Sequence, residues 1–153
     1  MKSHRRLVRM ALFTILSGLM MISPAQAAES CHKINAKGVG QDLGGGMTEA
    51  QIIGGGLLHG TTAGAFEITG ATGPLLSIAG TVTFTTHQGT LTVSVTGTLN
   101  VATGEFSASG PVTDATGKLA GATGELSLEG VEDLTDGSFV EDVTGEICVD
   151  LAP

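Results

Sequence analysis

Between Thr90 and Val101 the chain alternates almost without a break. Leu91, Val93, Val95, Leu99 and Val101 are apolar, Thr90, Thr92, Ser94, Thr96 and Thr98 are small and polar, and Gly97 completes the apolar parity. Successive side chains of an extended strand point to opposite faces, so this repeat of two predicts a strand with one dry and one wet face. The same parity gives Phe66-Ile68, Ile78-Val82-Phe84, Phe106-Ala108-Val112, Leu126-Leu128 and Phe139-Val143-Ile147-Val149 as inward sets, each interleaved with Thr, Ser, Asp or Glu. Turn signals separate them at Gly73-Pro74, Gln88-Gly89, Thr103-Gly104, Thr116-Gly117, Thr123-Gly124 and Asp136-Gly137. From residue 28 onward no window carries a helical period with caps. About eight short antiparallel strands follow, and a segment of this length suits either a closed up-and-down β-barrel or a β-sandwich.

Ala-Thr-Gly recurs at residues 71, 102, 115 and 122. A solenoid needs a fixed period, and these spacings are unequal, so the triplets read as recurrent hairpin chemistry. Gly44-Gly45-Gly46 and Gly54-Gly55-Gly56 lack the phosphate-loop Lys and the strand–helix setting of a nucleotide site, and read as turns or barrel bends.

The N-terminal segment has a different pattern. Lys2, Arg5, Arg6 and Arg9 lead into the apolar run Met10 to Ile22, which Ser23 and Pro24 break before Ala25-Gln26-Ala27. That order is an export signal with a small-x-small cleavage site; the run is too short for a membrane span, which takes about 20 apolar residues. Residues 1–27 are therefore read as a signal peptide and residues 28–153 as a single β domain, secreted or periplasmic. Glu29, just before Cys31, does not suit a lipidation signal.

Beyond the leader, 15 acidic residues face only Lys33, Lys37 and Lys118, a net charge near −12. Such a surface repels phosphate backbones and anionic lipid, which excludes nucleic acid as a partner and argues against stable membrane insertion after signal removal. The only two cysteines, Cys31 and Cys148, stand near the two ends of the domain. In an exported chain an even pair predicts one disulfide, and the opposite parity of Cys148 to Ile147 and Val149 puts it on the outer face. A lone Cys31-His32 lacks zinc-ligand spacing, so no metal site is expected.

Gly117, Leu119, Gly121, Ala122 and Gly124 match a G-x-[FL]-x-G-A-x-G hairpin, and Gly89-Thr90-Leu91-Thr92, Ala102 to Phe106 and Gly145 to Cys148 give similar cues. In these residues the stretch 76–150 resembles the allene oxide cyclase-like and dirigent-like β-barrels, and residues 31–70 do so more loosely. The resemblance implies an eight-stranded antiparallel barrel whose apolar lumen holds a reactive intermediate or hydrophobic ligand. This chain departs from the plant members in having no Tyr or Trp, so the resemblance carries over a fold and no catalytic residue.

No Gly-x-Ser-x-Gly elbow occurs, and His32, His59 and His87 fall near strand ends or turns, where a solvated role outweighs that of a general base. Glu129, Glu132, Asp133, Asp136, Glu141 and Asp142 crowd one segment but fit no EF-hand spacing, and read as a solvated acidic edge. Glu141 differs, because it shares the parity of Phe139 and Val143. It points into the lumen as a candidate acid or base, unless a rim position or a bulge at Val140 turns it outward. The candidate ligand-binding residues are Phe84, Leu91, Val93, Val95, Phe106, Leu126 and Phe139.

These features favour a barrel that binds or shields a small apolar molecule in its lumen, with no cofactor implied. The alternatives are a cofactor-free cyclase or isomerase using Glu141, and a structural or surface-interaction protein. A carbohydrate-binding module is disfavoured by the lack of Trp and Tyr stacking platforms. N-terminal sequencing of protein from the extracytoplasmic fraction is expected to begin at Ala28; an intact Met1 there would contradict the leader.

Overall fold

The computed structural model describes residues 30–151, and the leader assigned to residues 1–27 lies outside them. Eight strands follow one another: β1 Ser30–Gly44, β2 Met47–Gly54, β3 Gly60–Thr72, β4 Leu75–Thr86, β5 Gly89–Asn100, β6 Glu105–Ala115, β7 Thr123–Glu132 and β8 Ser138–Val149. Each pairs antiparallel with its neighbour in the chain, and β8 returns to β1, so the sheet closes on itself as an up-and-down barrel rather than a sandwich. Closure leaves no free edge among the described strands. The acidic segment is therefore not the edge of a sheet: Glu129 and Asp142 face outward, Asp133 and Asp136 form the β7–β8 turn, and Glu132 and Glu141 border the lumen.

The alternation seen in the sequence becomes the two faces of this wall. Val82, Phe84, Leu91, Val93, Val95, Leu126, Leu128, Phe139, Val143, Ile147 and Val149 are buried, and the Thr, Ser, Asp and Glu residues between them form the outer surface. Two apolar positions depart from the expectation. Ile68 keeps its inward parity, paired with Ile78 just before the β3–β4 slip, but stands at the open upper end and is 65% exposed. Val101 lies just beyond the end of β5, in the turn to β6, and is also exposed.

Turn chemistry sets the two ends. Gly45-Gly46, Gly73-Pro74, residues 101–104 and residues 133–137 form the upper end; residues 55–59, 87–88 and 116–122 form the lower end. Gly73, Gly104 and Gly117, the last residues of three Ala-Thr-Gly triplets, all have positive φ, which explains why glycine closes each. The fourth triplet is not a turn: Thr123 and Gly124 open β7, where a Cβ on Gly124 would meet the carbonyl oxygen of Glu146.

Two single-turn 3-10 helices, Gly56–Leu58 and Gly117–Leu119, cross the lower end and drive Leu58 and Leu119 into the core. The second carries the Gly117-x-Leu119 portion of the hairpin motif, so that motif works here as a plug. At the same end Cys31 and Cys148 lie opposite each other in the β1–β8 ladder and are disulfide-bonded. The bond spans 117 residues of sequence. Replacing both cysteines with serine is expected to leave the β-sheet circular dichroism intact but to lower the unfolding free energy by about 2 to 5 kcal/mol. Urea titration would test this, and an unchanged midpoint would show that the closed ladder alone holds the seam.

Candidate functional site

An eight-stranded barrel has an interior that side chains can just fill, or that can hold one small ligand. Here the two outcomes occupy different heights. In the lower half Ile52, Leu58, Phe84, Leu91, Leu119, Leu126 and Ile147 are completely buried and pack into one cluster. The upper half is hollow. A cavity of about 560 Å³ opens at the upper end, lined by Phe66, Leu76, Ile78, Val82, Val95, Leu99, Phe106, Ala108, Leu128 and Phe139, with Thr48, Thr62 and Glu141 as its inner polar groups.

Seven glycines stand at inward parity in these strands, Gly38, Gly40, Gly64, Gly80, Gly97, Gly110 and Gly130, and at each an added Cβ would lie 2.6 Å or less from an atom of a neighbouring residue, so glycine there permits close approach within the wall. Two of them make room for particular neighbours. A Cβ on Gly130 would lie 2.6 Å from Phe106 Cζ, and a Cβ on Gly38 would lie 2.6 Å from both Cγ and Oε1 of Glu141. The rings of Phe106 and Phe139 meet edge to face, with centroids 5.8 Å apart and planes at 89°, the arrangement that aromatic quadrupoles prefer.

Of the residues expected to line a ligand site, Val95, Phe106 and Phe139 border the cavity. Phe84, Leu91, Val93 and Leu126 do not; they face inward as expected but belong to the packed core. Parity identifies the face of a strand and not the height along the barrel, which follows from the stagger of eight strands together. The lining also includes Phe66, Ile68, Ile78, Val82, Leu99, Ala108 and Leu128, which alternation placed on the inward face without marking them as ligand contacts, and Leu76, Thr48 and Thr62, which it did not.

Glu141 is in register with Gly38 of β1 and Gly130 of β7, with no bulge at Val140, so its parity holds and its side chain enters the cavity. It is only 7% exposed. Among the described residues no hydrogen-bond or ion-pair partner meets its carboxylate, and burial alone pushes its pKa from 4.5 up to about 7. A carboxyl with that value is divided between acid and base near neutral pH, so it can both take and return a proton.

Three further acids, Asp42, Glu67 and Glu132, stand at the cavity mouth. The Glu132 carboxyl is also held above its ordinary value, first by partial burial and then by the charge of Asp42. Among the described residues no basic side chain borders the cavity. Lys37 pairs with Asp142 on the outer wall, and Lys118 sits in the lower plug. His59 and His87 are exposed in lower-end turns, and His32 lies in β1 next to the disulfide. None of the three borders the cavity. Among the described residues Cys31, Glu146 and Cys148 cluster closely enough to hold a metal, but both sulfurs are committed to the disulfide.

No protein-family model matches this chain, and no curated protein or solved structure is significantly similar to it.

The buried carboxyl makes stability depend on pH with a definite sign. At pH values well below 4.5 Glu141 is protonated in both states; between 4.5 and about 7 the unfolded chain releases its proton while the folded chain retains it. Stability therefore falls as pH rises through this window, by about 3 kcal/mol once the folded carboxyl is also ionised. Glu141→Gln is expected to remove that decline, so the variant gains on the wild type between pH 5 and 8.5. Parallel pH dependences of the two unfolding curves would show that Glu141 is not buried as described.

Proposed function

We propose that this barrel carries or shields a small apolar molecule outside the cytoplasm. The observation that carries the reading is the half-filled lumen: the lower half is packed by large aliphatic side chains and Phe84, while the upper half is open and lined by Phe, Leu, Ile and Val. Native cores leave few voids larger than a water molecule, so a hollow of about 560 Å³ facing an open end has the size and character of a ligand site. The resemblance of residues 76–150 to the allene oxide cyclase-like and dirigent-like barrels supports the same use of the lumen. A disulfide, which persists in oxidising compartments, supports a secreted or periplasmic setting, as does the leader pattern. The described residues include no helix long and apolar enough to cross a membrane.

Glu141 favours a second reading. One partnerless carboxyl inside an apolar chamber could move a proton between two atoms of a bound molecule, the minimum equipment of a cofactor-free isomerase or cyclase.

An uncharged apolar fluorophore should bind the native protein with a blue-shifted emission, driven by burial worth roughly 25 cal/mol per Å². Leu99→Trp, which fills the upper cavity without touching the lower cluster, should weaken binding about tenfold or more. Val95→Ala should enlarge the site at a cost of about 1 to 3 kcal/mol in stability. If the wild type and the enlarged variant both fail to bind, the lumen is not a site. The outward row Val39, Val140 and Val131, neighbours across β1, β8 and β7, would then be the surface to probe for a protein partner.

A further inference from the structure

A hydrophobic ligand alone leaves the polar content of this lumen unexplained. The cavity holds a carboxylate more than nine-tenths buried, aimed inward and without a protein partner, and its mouth carries three more acids and no base. An anionic ligand such as a fatty acid would bring like charge against all four groups. A neutral ligand would displace the water that reaches Glu141 and leave it to be neutralised by a proton. A ligand with one protonated nitrogen would supply the missing counter-charge and hydrogen-bond donors where the protein provides neither, while its apolar body met the Phe, Leu and Ile walls.

Building on the lumen-binding reading, we infer that the ligand class is an apolar molecule bearing a single basic nitrogen, its ammonium group placed against Glu141 and its hydrocarbon body in the upper cavity. The geometry favours this placement. Gly38 and Gly130, the ladder partners of Glu141, have no side chains to cover the carboxylate, and Thr48 and Thr62 are the other inner polar groups. Asp42 on β1, Glu67 on β3 and Glu132 on β7 line the route from solvent. Their field raises the local concentration of a cation and opposes an anion. Every titratable group facing the lumen is thus a carboxyl, contributed by β1, β3, β7 and β8.

The pH dependence separates the ligand classes. Glu141 ionises at about pH 7, so an ammonium ligand should bind more tightly as pH rises through that value, whereas a neutral ligand of the same shape should bind more weakly.

The test uses three probes of one shape, naphthylmethylamine, naphthylmethanol and naphthoic acid, titrated against the full mature protein by calorimetry at about pH 5.5 and about pH 8. At the higher pH the amine should bind about tenfold or more tightly than the alcohol, and the acid should not bind measurably. Lowering the pH should erase most of the amine's advantage. Glu141→Gln should reduce amine affinity about tenfold or more while sparing the alcohol, and added salt should reproduce little of that loss, because a buried pair is poorly screened. Equal binding of amine and alcohol by the wild type overturns the cation inference and leaves the lumen-binding reading standing. An amine preference that survives in Glu141→Gln also overturns it, since the selectivity would then belong to the mouth. If none of the three probes binds, both readings fall together.

Discussion

Closure of β8 onto β1 is the constraint on which the rest of this molecule depends. Twelve residue pairs, from Ser30 with Val149 to Gln41 with Ser138, join the first strand to the last. Once that seam forms, the number of strands sets the girth of the barrel, and every inward side chain competes for a fixed volume. Large residues exhaust that volume in the lower half. In the upper half the inward side chains leave about 560 Å³ unfilled. A sheet with free edges could have relaxed around either arrangement, but a closed one holds the difference as a permanent cavity.

Much of this was legible in the chain because a strand repeat of two is a strong local signal. The inward sets of β4, β5, β7 and β8 were identified from alternation, and glycine-containing turns separated them. Glu141 was legible for the same reason, since one acid at apolar parity stands out against Phe139 and Val143. Quantities belonging to several strands at once were harder to read. The depth of Phe84 and Leu91 below the cavity floor depends on strand stagger, which no single segment encodes. The slip near Ile68 and the role of Thr123-Gly124 as a strand opening rather than a turn likewise depend on what lies across the ladder. Closure itself turned an apparent acidic edge into one turn, two outward side chains and two carboxyls, Glu132 and Glu141, that border the cavity.

The same economy of side chains accounts for the charge pattern inside. Among the described residues the lumen contains no Lys, Arg or His to neutralise its acid. Glu141 fits because Gly38 has no Cβ to collide with its side chain, which lies over that glycine and borders the cavity. Its desolvation is large enough to shift its titration and small enough for a folded barrel to bear. Thr48 and Thr62 add polarity without charge, so one group dominates the electrostatics of the chamber.

The disulfide lies at the plugged end of the seam, on the far side of the packed core from the mouth. A zipper with a stop at its base can part only from the top. Any opening between β1 and β8 must therefore begin at Gln41 and Ser138, beside the cavity, and must run past Gly38 and Glu141 before it reaches the covalent link. The seam can loosen at the mouth while the lower core stays closed, so opening of the cavity need not be the motion that unfolds the protein.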